Sequence, residues 1–597
     1  MKVNRVSLAL NTVVLTLALF CNSQLAQARQ TATPASKVLR VLLTSPESTF
    51  DPAIASDINT ISINENLFEP MLRYDYLARP LQMRPNTLQA MPEVSADGKT
   101  YTLKLRPGIY FHDDPVFGGK PRELVAEDYR YSLQRLYDAR LKSPWLFLLD
   151  GKILGEAALK NPKAGEDPAL ISIPGIQVLD KYSLRIKLQE ADPNFLYVLG
   201  TVATSALARE VVEHYAAEAG NHPVGTGPFR LGHWQRSFKI ELLANPRYQR
   251  QFQDQGQDEK SRAIAAALKD KRLPLLDKVE VKVVEEQQAR VLGFLNREFD
   301  YLEQVPPPLS GMLLEQGKLK PELASRGVQL SLFPTLQIYY VWMNLQDPVI
   351  GGYSKEKIAL RRAIALSYDA AADIALQERG LAIRAHSPLP PQVNGYDEHY
   401  RSPVNFNLQL ANALLDKFGY KKGPDNYRRL PDGSELHLQM HSKANTDGRI
   451  RDEVWRKSLE AIGLKISFKS DKHSEILRAA RLGKAQMAEA DWIADFPDAD
   501  NFFQLLYSGN IGRANYARFS LKEFDRLYLL ARASHDQIER QKLYSKMAQI
   551  LHAYNPWVLR IHPLSADVQW PWLKNYMRHP VDFTSWRYLD IDLKAKD

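Results

Sequence analysis

The stretch Asp491–Phe502 reads DWIADFPDADNF and places four aspartates, one tryptophan and two phenylalanines within twelve residues. Pro497 prevents a regular helix from running through it. Aromatic rings lower the local dielectric constant, so a carboxylate held among them makes a stronger charge pair than a solvated one and suits an ammonium group. The composition alone favours a simpler alternative, an acidic loop whose aromatic side chains only anchor it to the core.

The length and composition indicate a globular protein of several lobes. The chain has 597 residues, more than one hydrophobic core usually serves, so we expect two or three lobes. Hydrophobic residues make up 45% and charged residues 25%, which is ordinary globular usage. The net charge of +9 would suit an acidic partner, but the lysines and arginines form no block that could follow a phosphate backbone. Nucleic acid is therefore not an expected partner.

The N-terminus has the pattern of a cleaved signal peptide. A short positively charged segment precedes the apolar run Val6–Phe20 and an A-x-A cleavage site at Ala26–Ala28. Cys21 raises the alternative of a lipoprotein, but the bulky residue before it favours cleavage after the A-x-A site. We therefore predict a signal peptide over residues 1–28 and a periplasmic mature protein without cysteine. No other segment is apolar for long enough to span a membrane.

The order of predicted elements indicates a mixed α/β protein. Lys37–Leu43 predicts a strand, and the rest of the first third alternates helices with short antiparallel strands. HPVGTGPF at His222–Phe229 lacks the residues of a phosphate-binding loop and predicts a tight structural turn. Further on, strand Ile338–Leu345 is followed by a predicted helix over Lys355–Gln377. Gln251–Arg272 is polar with an alanine-rich centre, which predicts a surface insertion without an assigned role.

No motif for catalysis is found. The chain has no G-x-S-x-G elbow, no H-E-x-x-H zinc motif and no Walker motif. A mature chain without cysteine can use neither a thiol nucleophile nor a thiolate metal site. The pairs Asp113/Asp114 and Asp498/Asp500 could suggest a glycosidase, but neighbours in sequence do not by themselves face a common substrate. We therefore expect a binding protein with no catalytic residues, no metal site and no cofactor.

Seven segments in the same order resemble the oligopeptide/dipeptide-binding family of extracytoplasmic solute-binding proteins that serve ABC importers. Each segment is weak alone, and their order makes the resemblance specific. The segments are FDPAIA (Phe50–Ala55), ENLFEPML (Glu65–Leu72), DGKTYTLKLRPGIYFHD (Asp97–Asp113), LVAEDYRYSLQRL (Leu124–Leu136), HPVGTGPF (His222–Phe229), LRRAIALSYD (Leu360–Asp369) and WIADFPDADNF (Trp492–Phe502).

The resemblance implies an α/β fold of the type II periplasmic-binding-protein class. Two lobes clasp the ligand about a hinge, and an extra α+β domain is inserted in the first lobe. The hinge would be the two chain crossings near Gln337 and Leu564. The implied ranges are 37–68, 190–336 and 565–597 for a discontinuous lobe I, 69–189 for the inserted domain and 337–564 for lobe II.

The resemblance also implies the site residues. Family members that take peptides pair the ligand's main chain with protein backbone, and an aspartate of a W-x-x-D motif binds its α-ammonium group. Asp495 falls on that aspartate, and Trp492 and Ile493 fall where the family offers backbone groups and an apolar wall. Asp57 and Ile58 fall where the first lobe contacts the ligand's backbone. The implied partners are a peptide or another small solute and the permease subunits of an ABC transporter, with the receptor itself a monomer.

This sequence departs from the family pattern in three places. The turn at Phe111–Leu124 is expanded, and Gln251–Arg272 is an extra segment. No arginine falls where some dipeptide binders hold the ligand carboxylate, because His441–Asn445 offers only Lys443. Longer peptides or a non-peptide amine therefore stay open, and so do the nickel chelates, haem, opines and oligosaccharides that the same fold carries. An exported hydrolase and a periplasmic chaperone are the alternatives from other classes.

Overall fold

The structure is a computed structural model, and it describes residues 36–163, 165–315, 317–534 and 536–596. The predicted signal peptide at 1–28, together with Cys21, lies outside the described residues. Among the residues described, no helix is both long and apolar enough to cross a membrane.

Helices and strands alternate along most of the chain. The strands occupy these ranges: β1 Val38–Leu43, β2 Leu72–Tyr74, β3 Met83–Pro85, β4 Glu93–Val94, β5 Thr100–Lys104, β6 Ile176–Asp180, β7 Ser183–Lys187, β8 Phe229–Gln235, β9 Lys239–Ala244, β10 Arg250–Gln251, β11 Arg272–Leu273, β12 Lys278–Val283, β13 Tyr301–Leu302, β14 Leu314–Glu315, β15 Lys318–Leu319, β16 Gln329–Pro334, β17 Gln337–Met343, β18 Ala382–Arg384, β19 His437–Lys443, β20 Lys465–Asp471, β21 Met487–Ile493, β22 Trp557–Gln569, β23 Leu573–Lys574 and β24 Asp590–Ile591. The α-helices occupy these ranges: α1 Ile58–Leu67, α2 Ala126–Arg135, α3 Ala157–Lys160, α4 Phe195–Val198, α5 Arg209–Tyr215, α6 Glu259–Leu268, α7 Gln287–Leu295, α8 Pro321–Ser325, α9 Lys355–Ser367, α10 Ala370–Leu376, α11 Leu408–Lys417, α12 Thr446–Glu460, α13 His473–Arg481, α14 Asp500–Phe503, α15 Lys522–Ala533, α16 Gln537–Tyr554 and α17 Leu593–Lys596.

A four-stranded sheet in the order β1-β12-β9-β8 begins the fold. β1 and β12 are parallel, and the other two pairings are antiparallel. The alternating sequence VLRVLL buries Leu39, Val41 and Leu43 on one face, as the strand prediction requires. At the carboxyl end of β1, the Thr44 N–H donates to the Asn59 side chain over 2.9 Å, which holds the start of α1 beside this edge.

A second sheet lies between residues 93 and 187, in the antiparallel order β4-β5-β7-β6. Helix α2 covers one face of it, where Leu133 joins the same buried cluster as Leu103 of β5 and Leu184 of β7. This part of the chain is therefore the α-plus-antiparallel-β arrangement that the first third of the sequence predicts.

The largest sheet has the order β13-β22-β17-β21-β19-β20, and β16 and β18 also pair with β22. Strand β22 is thirteen residues long, and its two halves have different neighbours. Its first half pairs with β17 and β18, and its second half pairs with β13 and β16. β16 and β17 follow one another with only two residues between them, so β22 and the β16–β17 segment run side by side from one half of the molecule to the other.

HPVGTGPF forms the predicted tight turn, packed against the end of α1. A Cβ atom on Gly225 would lie 2.0 Å from the carbonyl oxygen of Leu67, and one on Gly227 would lie 2.4 Å from that of Asn66. The Thr226 hydroxyl donates to the Glu69 carboxylate over 2.9 Å. The glycines are therefore required by the close approach of the ENLFEPML segment.

The predicted helix over Lys355–Gln377 is two helices. α9 ends at Ser367, and α10 begins after Asp369, whose carboxylate accepts hydrogen bonds from the N–H groups of Ala371 and Ala372. Tyr368 between them has an extended backbone. The prediction of one helix was wrong because an aspartate competes for backbone N–H groups and favours a helix start.

The segment Gln251–Arg272 contributes to a core rather than lying on the surface throughout. Its predicted helix is α6, capped by the Asp258 side chain. Phe252 and Leu268 are buried in a cluster with Tyr588 near the C-terminus. Asp254 is buried and forms a bidentate ion pair with Arg73 over 2.6–2.7 Å. The prediction of a surface insertion was therefore wrong for this face of the segment.

Candidate functional site

The acidic segment Asp491–Phe502 begins as the last part of β21 and continues as a loop. Trp492 and Ile493 belong to the ladder between β21 and β17, which ends at Ile493. The chain then bends until the short helix α14 begins at Asp500. Asp495 is consequently the second residue after the strand, on a loop that starts where the largest sheet stops.

Asn501 holds this loop in place. The buried amide oxygen of Asn501 accepts hydrogen bonds from the Trp492 indole over 2.7 Å and from the Asp495 N–H over 3.2 Å. Its amide nitrogen donates to Oδ2 of Asp495 over 2.9 Å. One side chain therefore fixes the indole, the backbone and one carboxylate oxygen, and it leaves Oδ1 of Asp495 available. Asn501 belongs to the segment Asp491–Phe502, and a single amide among acids and rings is the sequence signal that points to it.

The carboxylate of Asp495 has no cationic partner within the described ranges, since its one side-chain bond is to Asn501. The residue is exposed to water, yet desolvation by the surrounding protein raises the pKa of Asp495, and the Asn501 bond only partly offsets it. Water therefore still reaches a carboxylate whose charged form the surrounding protein disfavours. An ammonium group beside it would supply the missing positive charge.

Trp492 and Ile493 differ in their surroundings. Trp492 is half-buried and packs against the cluster that contains Ile338 and Phe502. Ile493 is 59% exposed, which is unusual for a large apolar side chain at the end of a central strand. The geometry thus places an anchored indole and a free apolar side chain on either side of the strand that leads to Asp495.

The other three aspartates of the segment have protein partners. Asp498 is 1% exposed and accepts from the Arg540 guanidinium over 2.6 Å and from the Tyr544 hydroxyl over 3.0 Å. Asp500 is also buried, and Asp491 accepts from the Gln337 side chain over 3.0 Å. Asp498 also accepts a hydrogen bond from the Asp500 N–H within the turn, and both of these aspartates are buried.

Asp57 and Ile58 lie at the start of α1, next to the first sheet. Asp57 is the N-cap of that helix: its carboxylate accepts from the Thr60 N–H over 2.8 Å and from the Ser48 hydroxyl over 2.7 Å. Ile58 is 57% exposed. The structure therefore gives the Asp57 carboxylate a capping role and leaves Ile58 free to contact a ligand. No hydrogen bond joins either residue to Asp491–Phe502 in the described part of the chain.

Ile58 lines a cavity of about 120 Å³ at the carboxyl end of β1. Leu43, Thr44 and Trp586 form other parts of its wall, and Glu303, just after β13, lies on it as well. A second, smaller cavity of about 40 Å³ lies beside Glu65, and it shares Thr584 with the first. The larger cavity is thus enclosed by the first sheet, α1 and the C-terminal segment.

The region His441–Asn445 is as poor in cations as its sequence indicates. The Lys443 ammonium lies 3.9 Å from Asp491, at the limit of an ion pair. Over the described ranges, no three His, Cys, Asp or Glu side chains come together as a possible metal site.

Comparison with known proteins shows which family of proteins the chain resembles. The family model described as bacterial extracellular solute-binding proteins, family 5 Middle, matches residues 82–513. The chain is 26% identical over 574 residues to di/tripeptide-binding protein 2 of Pseudomonas aeruginosa, covering 93% of this chain and 95% of that relative. It is 25% identical over 510 residues to heme-binding protein A of Haemophilus influenzae, covering 84% and 83%.

Solved structures show the same fold over nearly the whole chain. HbpA2 from Haemophilus parasuis superposes with a TM-score of 0.76 at 18% identity, covering 93% of this chain and all of that one. NikA from Brucella suis, in complex with Fe(III)-EDTA, superposes with a TM-score of 0.71 at 18% identity and the same coverage. The predicted fold class is confirmed: this is an α/β protein of the type II periplasmic-binding-protein class.

Proposed function

The chain belongs to family 5 of the bacterial extracellular solute-binding proteins, and we propose that it is the peptide receptor of an ABC importer. In this proposal it captures short peptides with a free amino terminus in the periplasm and delivers them to the permease subunits in the membrane. It acts as a monomer and catalyses no reaction. The relatives whose names record peptide binding support this choice of ligand.

The observation that carries the proposal is the unpaired carboxylate of Asp495. Its orientation is set by Asn501, its charge is disfavoured by the surrounding protein, and no cation of the described residues neutralises it. Leaving such a carboxylate without a partner costs free energy that a bound cation recovers. The α-ammonium group of a peptide is a cation of the right size for one free carboxylate oxygen.

The energies involved suit a transport receptor. A charge pair 4 Å apart contributes up to about 4 kcal/mol at an effective dielectric constant of 20, before desolvation is subtracted. Micromolar affinity corresponds to about 8 kcal/mol. One such pair, together with main-chain hydrogen bonds near Ile493 and apolar contact with its exposed side chain, is therefore sufficient.

We assign lobe I to residues 37–68, 190–336 and 565–597, the inserted domain to 69–189 and lobe II to 337–564. The sheet order supports this division, because β1, β8, β9 and β12 all fall in the first set of ranges. The two connections between lobes are the β16–β17 link and strand β22. Bending at these two neighbouring connections would close the lobes around a ligand and present a distinct surface to the permease.

Calorimetry with Asp495→Asn tests the proposal. Asparagine keeps the shape of the side chain and can still accept the bond from Asn501, so only the charge is lost. We expect wild-type protein to bind trialanine at least about tenfold more tightly than N-acetyl-trialanine, a difference of about 1.4 kcal/mol. Asp495→Asn should bind both peptides with the weaker affinity, because neither ligand then meets a charge.

The matched control is Asp97→Asn, an exposed aspartate of the inserted domain that bonds only local groups. It should preserve the wild-type preference. Unchanged affinity of Asp495→Asn for trialanine would exclude the role assigned to Asp495. Binding of haem or a metal chelate, with no affinity for any peptide, would instead favour the ligand class recorded in the names of other family members.

A further inference from the structure

The cavity beside Ile58 contains three charged side chains, Arg290, Arg578 and Glu303. Arg578 forms an ion pair with Glu303, and the Tyr576 hydroxyl donates to the same carboxylate over 2.9 Å. Arg578 and Glu303 therefore compensate one another. The guanidinium of Arg290 is the remaining charge on the cavity wall.

Arg290 lies in the first turns of α7, and its guanidinium makes little hydrogen bonding within the described residues. Its Nη2 reaches the Glu285 carbonyl oxygen at 3.5 Å, the outer limit of a hydrogen bond, and its Nε is buried without a partner. Desolvation lowers the pKa of Arg290, and Glu286 attracts it only from beyond ion-pair distance. In the part of the chain that the structure describes, no carboxylate lies within 4 Å of it. A partly desolvated guanidinium in this state favours an anionic partner.

The position of the cavity also suits a ligand. It lies at the carboxyl end of the parallel strands β1 and β12, and ligands of open α/β sheets bind outside such strand ends. About 120 Å³ is room for a carboxylate and the atoms next to it, and Leu43, Ile58 and Trp586 supply apolar walls. A guanidinium pairs with a carboxylate through two parallel hydrogen bonds, which adds orientation to attraction.

We propose that Arg290 binds a carboxylate group of the captured solute inside this cavity. The inference rests on the proposed function and narrows it: the solute carries an anionic group as well as an ammonium group. Arg290 belongs to lobe I as assigned above, whereas the cation-poor region His441–Asn445 belongs to lobe II. The carboxylate would thus be held by lobe I, whereas the family pattern places its partner in lobe II, at His441–Asn445.

The test compares trialanine with trialanine amide, which lacks the terminal carboxylate, by calorimetry. Wild-type protein should bind the acid at least tenfold more tightly than the amide. Arg290→Ala should bind both with the weaker affinity. Arg262→Ala is the matched control, since Arg262 is an exposed arginine that donates to a local carbonyl, that of Gln257. That variant should keep the preference for the acid.

Asp495→Asn separates this inference from the proposed function. It should lose the preference for a free amino terminus and keep the preference for the acid. An acid preference that survives in Arg290→Ala, or is absent from wild type, would overturn the role of Arg290 alone.

If wild type binds no trialanine, the proposed peptide class fails. The small molecules that co-purify with wild type and with Arg290→Ala then decide whether Arg290 binds a carboxylate. A pool that loses its carboxylic acids in the variant supports the inference, and identical pools overturn it. An unchanged melting temperature of Arg290→Ala shows that the variant is folded.

Discussion

Asp495 is available to a ligand because Asn501 holds the residues around it. The amide of Asn501 satisfies the indole of Trp492 and the backbone of Asp495, so neither group competes for the free carboxylate oxygen. The neighbouring Asp498 is the contrasting case, because its carboxylate forms an ion pair with Arg540 inside the core. Two carboxylates three residues apart therefore differ in their partners: Asp498 is paired with an arginine, and Asp495 bonds only the Asn501 amide.

A second carboxylate with an unusual environment is Glu65, in the ENLFEPML segment. It accepts hydrogen bonds from the N–H groups of Phe583 and Thr584 over 3.1 and 2.9 Å and so holds the C-terminal segment against α1. Burial and then repulsion by Asp582 raise the pKa of Glu65 to about 8. Between about pH 4.5 and 8, the folded protein therefore holds a proton that the unfolded chain has released.

We predict that this proton makes wild-type protein lose stability relative to Glu65→Gln as the pH rises from 5 to 8. The loss is up to about 1.4 kcal/mol for each pH unit in that window. Urea unfolding of both proteins at pH 5 and pH 8 measures it. The comparison with the variant is needed because burial lowers the pKa of His112 and His562 to about 4, which makes stability rise with pH below 6.5 in both proteins. Equal pH dependence of the two proteins would contradict the raised pKa.

For single residues, the local backbone structure could be predicted better than the hydrogen-bond and ion-pair partners of the side chain. Pro497 predicted that no regular helix runs through the segment, and the structure confirms it: Asp495 lies in a loop between β21 and α14. The partners of Asp498 could not be read from the sequence, because Arg540 and Tyr544 lie more than forty residues further on. The weak bonding of Arg290 was hidden for the same reason: an unpaired charge is a property of the folded surroundings.

At the scale of elements, the turn HPVGTGPF and helix α1 depend on each other. We predict that Gly225→Ala destabilises the protein by about 3 kcal/mol or more, because the added methyl group would meet the Leu67 carbonyl oxygen at 2.0 Å. Thermal or urea unfolding measures the change. Gly311→Ala is the control, since nothing lies within 4 Å of its added Cβ, and it should be nearly neutral. A neutral Gly225→Ala would show that the turn can move away from α1.

Periodicity predicted most strands and helices well and their interruptions poorly. Lys37–Leu43 and Ile338–Leu345 were found as strands within two residues of their observed ends. The break between α9 and α10 was missed because one capping aspartate outweighs a continuing apolar pattern. The insertion at 251–272 was taken as surface because its buried residues pack on Tyr588, which is distant in sequence.

At the scale of the whole molecule, composition and periodicity alone indicated only an exported α/β binding protein of several lobes. The fold class came from the ordered motifs of the family, and the comparisons confirm it. The pairing of the long strand β22 could not be foreseen from its sequence, because all of its partners, β13, β16, β17 and β18, lie far earlier in the chain. Such non-local pairing is decided by the packing of distant elements.

The proposal that this receptor captures amine-bearing solutes through Asp495 is tested most directly by mass spectrometry of its natural ligand. Wild-type protein is purified from its native compartment, and the ligand that it carries is released by mild denaturation. We predict short peptides with a free amino terminus, and their absence from Asp495→Asn purified in parallel. Haem, a metal chelate or a sugar in the wild-type sample, or the same peptides in both samples, would contradict it.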